Sequence, residues 1–564
     1  MPKVIGIGKQ RYDRIIENDG FYIDKTMFIK EWWENQDDVT LITRPRRFGK
    51  TLNMDMLKCF FSNEYKDRGD LFEGLDIWKE EKYREIQGTY PVIFLSFAKI
   101  KQNTYKDAIA GIKRIICDEI QKYIFLKDWD GLADAEKNNL KNITYGMDDV
   151  TAQEAIASLS NYLSRYYGKN VIILLDEYDT PMQEAYVNGY LEELVSFTRS
   201  FFNATFKSNL YLERAVITGI TRVSKESIFS DLNNLKVITV ESDEYSDTFG
   251  FSEEEVFLAL DDFNLSDKKQ IVKEWYDGFT FGSQRDIYNP WSIINFLENK
   301  KIDTYWADTS SNSLINHLIK KSVPEIKELM ELLLKRESIE VTFDDQIVFN
   351  QLDKSKNAIW SLLVASGYLK IDDIEYKGLL LKPWYHISIT NLETVSMFAN
   401  MFAGWFENPD ARYNDFIKSL LNNDLKGMNY YMNKVALATF SYFDTGKNPS
   451  ETLEPERFYH GFVLGLIVEL SDRYEVKSNR ESGFGRYDVM IIPLDKSEKA
   501  IVLEFKVHEN DEEKTLEETV SSALAQIEEK KYDTELINAG VKKENIRHYG
   551  FAFEGKKVLI GTDE

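Results

Sequence analysis

Gly49, Lys50 and Thr51 close the stretch "RPRRFGKT" (residues 44–51), which lies between an apolar run and a helical pattern. A glycine, a lysine and a hydroxyl in this order, at a strand-to-helix turn, can cradle the phosphates of a nucleotide. Lys50 would neutralise β- and γ-phosphate oxygens, Thr51 would ligate Mg²⁺, and the main chain of Arg47, Phe48 and Gly49 would offer amides at the helix start. Arg44 stands where such a loop usually has its first glycine, and Pro45 beside it fixes one φ and presets the turn by another route. Arg44, Arg46 and Arg47 add positive charge that could face phosphate or carboxylate; the sequence leaves both open.

A second stretch, "VIILLDEYD" (171–179), ends an apolar run in two acids. Asp176 can hold Mg²⁺ through water, and Glu177 can polarise the water that attacks a γ-phosphate. A third, "AVITGITRVSK" (215–225), ends in Thr218, Thr221 and Arg222. Additional-strand ATPases keep a polar γ-phosphate sensor at this place, which makes Thr218 and Arg222 candidate nucleotide contacts.

A separate constellation lies near the C-terminus, in "GRYDVMIIPLDKSEKAIVLEFK" (485–506). Two apolar strands flank a polar turn, and Asp488 and Glu504 are equidistant from Lys496 within it. Opposed hairpin residues have a constant positional sum, so these two carboxylates should face each other within about one register step. Strand alternation puts Lys506 on the same face as Glu504 and Phe505 on the other. Two close carboxylates repel unless a cation separates them, and hard oxygens suit Mg²⁺ or Mn²⁺. Such a metal would generate hydroxide, with Lys506 orienting the nucleophile or offsetting developing charge. A plain salt-bridged hairpin, with Lys506 paired to one of the acids, uses the same residues.

The elements that must position these groups follow from apolar patterning. Runs at 38–43, 90–97, 170–177, 214–220 and 235–240 are continuous rather than alternating, which predicts a parallel sheet buried on both faces, with helices such as that in 105–124 between strands. The fold class expected is α/β multidomain. Residues 1–245 would form the nucleotide-binding domain and 446–564 a mixed α/β domain. Between them, 246–445 would be a charged helical region, opened by a Ser252–Glu255 capping box. Within it, "AIWSLLVASGYLKI" (358–371) reads as a helix stopped by Gly367 and followed by a hairpin, a winged-helix-like order that also suits a plain packing unit. The run 456–470, apolar nearly all round, predicts a buried helix.

The bulk numbers narrow the classes of function. A net charge of −24 opposes indiscriminate adhesion to nucleic acid or anionic lipid, so any nucleic-acid contact would be local and salt-sensitive. Two unpaired cysteines and five scattered histidines argue against disulfide and zinc scaffolds. No apolar run is long enough to span a bilayer, so a cytoplasmic protein without a membrane partner is expected.

Beyond this residue reading, "FYIDKT" (21–26), "ITRPRRFGKTLNM" (42–54), "LLDEYDTPM" (174–182) and "TGITRVSKESIFSDLNN" (218–234) resemble the AAA-ATPase-like family of bacterial proteins over nearly the whole chain. In that family arginine is the usual residue in place of the first glycine, and members usually carry a C-terminal PD-(D/E)XK nuclease-like domain. The resemblance implies ATP and Mg²⁺ as cofactors and nucleic acid, DNA or RNA, as partner of the C-terminal domain. It also implies phosphodiester cleavage at Asp488, Glu504 and Lys506, with "GRYD" in place of a literal Pro-Asp. Gln526 and Tyr532 look like the Gln-and-Tyr element of some of these nucleases. Two functions fit: an ATPase coupled to a metal-dependent nuclease, or an ATP-dependent switch whose nuclease-like domain binds without cutting. A homo-oligomer or a protein partner is compatible with both.

Overall fold

Five short strands with β-branched and aliphatic interiors build the N-terminal sheet: β1 (Val39–Thr43), β2 (Val92–Ser96), β3 (Val171–Asp176), β4 (Leu212–Gly219) and β5 (Leu235–Ile238). Every residue of β1 and β3 is buried, as continuous apolarity requires of strands covered on both faces. In this computed structural model, which describes residues 3–221, 228–229, 232–307, 315, 318, 324–334, 336–343, 357–398, 413–439, 463, 467, 470, 473–482, 485–508, 513–554 and 557–563, the strands are parallel in the order β2-β3-β4-β1-β5. Strand β4 stands between the strand before the glycine–lysine loop and the strand ending in Asp176, the additional-strand arrangement expected from the sequence. Pairings Thr43↔Gly219 and Leu175↔Ile217 bring the ends of β1, β4 and β3 to one edge. In open parallel sheets ligands bind at that edge.

Residues 1–318 and 338–395 form one compact unit, and 319–337 with 396–564 a second. In the first, β6 (Phe251–Ser252), β7 (Phe279–Phe281) and β8 (Gln284–Tyr288) make a small antiparallel sheet. The predicted capping box is present: Ser252 Oγ accepts from Glu255 N, and Glu255 Oε2 accepts from Ser252 N at 2.8 Å. The helix Ala358–Ala365 is followed by Gly367 at φ +81° and then by β10 (Leu369–Lys377) and β11 (Lys382–Ile389), which β9 (Ile339–Val341) extends to three strands. This is the helix-then-hairpin order that the sequence predicted.

The second unit carries a mixed sheet in the order β12 (Tyr474–Ser482), β13 (Gly485–Pro493), β14 (Ala500–Val507), β15 (Ile546–Glu554), β16 (Lys557–Thr562), in which β14 and β15 are parallel and the other pairs antiparallel. Odd positions of β13 and β14, such as Val489, Leu503 and Phe505, enter one apolar cluster, and even positions, such as Met490 and Val502, enter another with Ile527 and Leu536. The helix expected over 456–470 lies largely outside the described residues; Val463 and Ile467 within it are helical and fully buried. Among the described residues no helix is long and apolar enough to cross a membrane.

Candidate nucleotide and metal sites

The loop after β1 turns into the helix Lys50–Phe61 through Gly49, which sits at φ +78° with nothing within 4 Å of where a Cβ would lie. That left-handed conformation is cheap only for glycine. Lys50 folds back on its own loop, donating to Arg44 O at 3.0 Å and Pro45 O at 2.7 Å. Burial lowers its pKa, and the nearby carboxylates of Glu177, Asp179 and Asp176 oppose that shift.

Asp176, at the end of β3, ties the neighbouring strand ends together. Its Oδ2 accepts from Thr51 Oγ1 at 2.9 Å and its Oδ1 from Thr218 Oγ1 at 2.7 Å. Burial raises its pKa, against the bond from Thr218. Glu177, next in sequence, has φ +52° and is half-buried at the same edge. A non-glycine residue held there costs roughly 1–3 kcal/mol, and strain of that kind clusters at functional positions. Lys50, Thr51 and Glu177 line one cavity of about 540 Å³, which also touches the loop residues Arg46, Arg47, Phe48 and Gly49. Its lining also includes the apolar residues Ile5, Phe21, Ile23, Trp291 and Ile294. The donor set fits a magnesium nucleotide: a buried cation and helix-start amides for phosphate, and hydroxyl and carboxylate oxygens side by side for the metal. Arg222 lies outside the described residues, so the structure gives no position for it.

In the second unit, β13 and β14 pair as Val489↔Leu503, Met490↔Val502 and Ile491↔Ile501. Each sum equals that of Asp488 and Glu504, so one more step of this register opposes the two acids, as the hairpin arithmetic predicted. Asp488 Oδ2 accepts from Phe505 N at 2.8 Å, which places its carboxylate against β14. Glu504 is 3% exposed, and Gln526 Nε2 donates to its Oε1. Tyr532 OH lies 3.3 Å from the same amide nitrogen. Burial pushes the Tyr532 hydroxyl up to about 12, and the charges of Glu504 and Asp488 add to that. Lys506 shares their face, is half-buried, and makes no ion pair among the described residues, so the plain salt-bridged hairpin is not what forms here. Two hard carboxylates on adjacent strands, one steadied by an amide, fit Mg²⁺ or Mn²⁺.

Comparison with known proteins finds a family match in each of these two regions. Residues 6–229 match the family model described as "Predicted AAA-ATPase", and residues 454–563 match that of the PD-(D/E)XK nuclease superfamily. The chain joins an AAA-ATPase-like domain to a PD-(D/E)XK nuclease superfamily domain. It is also similar to a protein of Azotobacter chroococcum mcd 1, described as an uncharacterized protein in the vnfD 5' region, with 24% identity over 504 residues and 87% of each chain covered.

Within the AAA-ATPase-like domain, Arg44 gives its hydrogen bonds to main-chain carbonyls, and the charge of Glu31 acts on it only through space. It is fully buried beneath the loop. Its Nη1 donates to Thr43 O at 3.0 Å and Thr239 O at 2.7 Å, and its guanidinium lies 4.5 Å from the Phe281 ring centroid. Burial lowers its pKa to about 9, so it remains charged at neutral pH. Phe48 is likewise buried, its ring 4.7 Å from that of Phe279, so its side chain serves the loop's foundation while its backbone borders the cavity. Arg46 Nη2 reaches Gln183 Oε1 at 3.3 Å, and the exposed Arg47 lies over Trp291 at 4.2 Å.

Sequence reasoning missed several residues that hold this site. Asp179 is fully buried, and its Oδ2 accepts from Ile220 N, Thr221 N, Thr221 Oγ1 and Gln183 Nε2 at 2.8–3.1 Å. It therefore fastens the turn after β4 to the acid strand. Its place in "DEYD" was a signal of sorts, since a third acid so near two functional ones has to be neutralised locally. Asn289, Trp291 and Trp306 carried no such signal, because they meet the loop only through tertiary packing, and Glu393 reaches it only by way of Trp306.

Proposed function

We propose that the protein binds and hydrolyses ATP in its AAA-ATPase-like domain and that the nucleotide state governs a metal-dependent phosphodiesterase acting on DNA or RNA. The observation that carries this reading is the buried Asp176 carboxylate bonded to both Thr51 and Thr218, with Thr51, Lys50 and Glu177 lining one cavity. Within it, Lys50 and the Arg47–Gly49 amides hold phosphate oxygens, Thr51 and Asp176 hold Mg²⁺, and Glu177 orients the attacking water. Thr218 senses the γ-phosphate through Asp176, and Arg222 completes that sensor.

In the nuclease superfamily domain Asp488 and Glu504 hold the divalent cation, and Gln526 keeps Glu504 turned toward it. The cation supplies Lewis acidity at the scissile phosphate. Lys506, on the same face, offsets charge at the attacking or leaving oxygen. The domain borders at residues 245 and 446, action in the bacterial cytoplasm and assembly with a second copy or protein partner belong to the same proposal.

A second reading keeps the same two sites: an ATP-dependent switch whose nuclease-like domain grips nucleic acid without cutting it, a local contact that the net charge of −24 would make salt-sensitive. Incubating the purified protein with labelled single- and double-stranded DNA and RNA, in Mg²⁺ or Mn²⁺, distinguishes the two. The first reading expects metal-dependent cleavage that Glu504→Ala abolishes. Salt-sensitive binding without cleavage would establish the second.

A further inference from the structure

The phosphate loop is held from outside the segment that matches the AAA-ATPase-like family. The Arg46 carbonyl accepts from Trp306 Nε1 at 3.0 Å and from Asn289 Nδ2 at 3.3 Å. A peptide unit is planar and trans, so fixing the Arg46 oxygen toward Trp306 turns the Arg47 N–H to the opposite side. Both donors are buried, and each is itself pinned. Asn289 Oδ1 caps the helix Pro290–Asn299 through Trp291 N at 2.9 Å and Ser292 N at 3.3 Å. Trp306 packs its ring edge-on against Phe279, which in turn meets Phe48 of the loop.

Glu393 joins this cluster to the rest of the chain. It is fully buried; its Oε1 accepts from Trp306 N at 2.6 Å and Ala307 N at 3.4 Å, and its Oε2 from Ser292 Oγ at 2.7 Å. A second tie runs nearby: Thr390 Oγ1 donates to Gly367 O at 2.8 Å, and a Cβ on Gly367 would come within 2.8 Å of Pro45. The chain leaves the first compact unit after Leu318 and again after Val395. Glu393 thus clasps the segment approaching the first departure, at Trp306 and Ala307, to the segment at the second.

From this geometry we infer that Trp306, seated by Glu393, is a positioning residue of the phosphate loop and that this clasp carries the loop's nucleotide state to both chain segments leading into the nuclease-like unit. The inference rests on nucleotide binding by the AAA-ATPase-like domain and adds the route by which that binding is read. A phosphate that draws the Arg47 amide inward rotates the Arg46 carbonyl, and the carbonyl moves Trp306. Because Glu393 bonds the main chain of Trp306 and Ala307, the shift passes to residues 391–395 as well.

Hydrogen exchange of the full chain, with and without a non-hydrolysable ATP analogue, tests this, with calorimetry confirming that the analogue binds. In the natural protein, binding should change exchange at residues 306–307 and 391–395 and in the nuclease-like unit. Trp306→Phe keeps the ring and deletes the Nε1 donor. It should weaken analogue binding only about fivefold, the loss of one hydrogen bond, while abolishing the exchange response beyond the loop. Glu393→Gln keeps the acceptor for Trp306 N and should retain most of that response. Binding with no response at 306–307 and 391–395, or a full response in Trp306→Phe, overturns the inference alone. Absence of any binding by the natural protein overturns it together with the proposed function.

Discussion

Replacing Arg44 by alanine separates a foundation residue from a phosphate ligand. In the structure this guanidinium is fully buried and donates two well-formed hydrogen bonds to Thr43 O and Thr239 O, with Phe281 beneath it. A hydrogen bond from a charged donor is worth about 1.5–3 kcal/mol net, so two such bonds come to roughly 3–6 kcal/mol. Alanine would also leave a cavity, while relieving the desolvation of a buried charge. Taken together these terms leave a loss of about 3 kcal/mol. For a domain of 150–250 residues this lowers Tm by roughly 6–12 °C. Nucleotide affinity, measured by calorimetry well below the transition, should change by no more than about threefold, because one hydrogen bond's worth of loop distortion is the most that this site transmits. Arg44→Lys should fall between, since an ammonium reproduces the charge without the planar fork. Unchanged Tm with nucleotide affinity lost more than tenfold would refute this reasoning and put Arg44 on the phosphate.

Lys50→Ala should show the reverse pattern, with nucleotide binding lost at least 100-fold by calorimetry and Tm altered by only a few degrees, because the buried lysine bonds only carbonyls of its own loop. Glu177→Gln should keep nucleotide binding while slowing phosphate release about 100-fold or more, the usual worth of a positioned base. Gln526→Ala frees the Glu504 carboxylate to rotate and should weaken Mn²⁺ binding about tenfold by calorimetry, with little change in fold by circular dichroism. His548 lies between Asp533 and Asp563, at 2.7 and 2.6 Å; against a desolvation that lowers its pKa, these two bonds raise it to about 9. Its ion pairs therefore stabilise fully below the unfolded value near 6.5, and that contribution is lost as pH rises through 9. Melting of the natural protein from pH 6 to 10 should show a fall in Tm that His548→Gln lacks.

The parts of this molecule legible in its sequence are those governed by local periodicity. Continuous apolar runs gave the buried parallel strands, and the constant positional sum across residues 485–506 gave the facing of Asp488 and Glu504. Gly49, Lys50, Thr51 and Asp176 could be singled out as a candidate site because phosphate chemistry restricts residue type and spacing, and the fold brings Lys50, Thr51 and Asp176 together. Arg44 illustrates the opposite case. Its type suggested an anion, yet its partners are carbonyls at Thr43 and Thr239 and a ring at Phe281, and only the fold brings the latter two beneath the loop. Asn289 shows the same division: an asparagine before a proline marks a helix start, but nothing local says that its amide will also reach Arg46 O. Trp306 and Glu393 depend on contacts between segments far apart in the chain, which no local pattern encodes.

The most direct test of the account is cleavage of labelled nucleic acid in Mg²⁺ or Mn²⁺ with ATP, with ADP, with a non-hydrolysable analogue and with no nucleotide, by the natural protein and by Lys50→Ala and Glu504→Ala. The account predicts cleavage that disappears in Glu504→Ala, varies with the nucleotide in the natural protein, and ignores the nucleotide in Lys50→Ala. Cleavage that persists without Glu504, or that is the same with and without nucleotide in the natural protein, would contradict it.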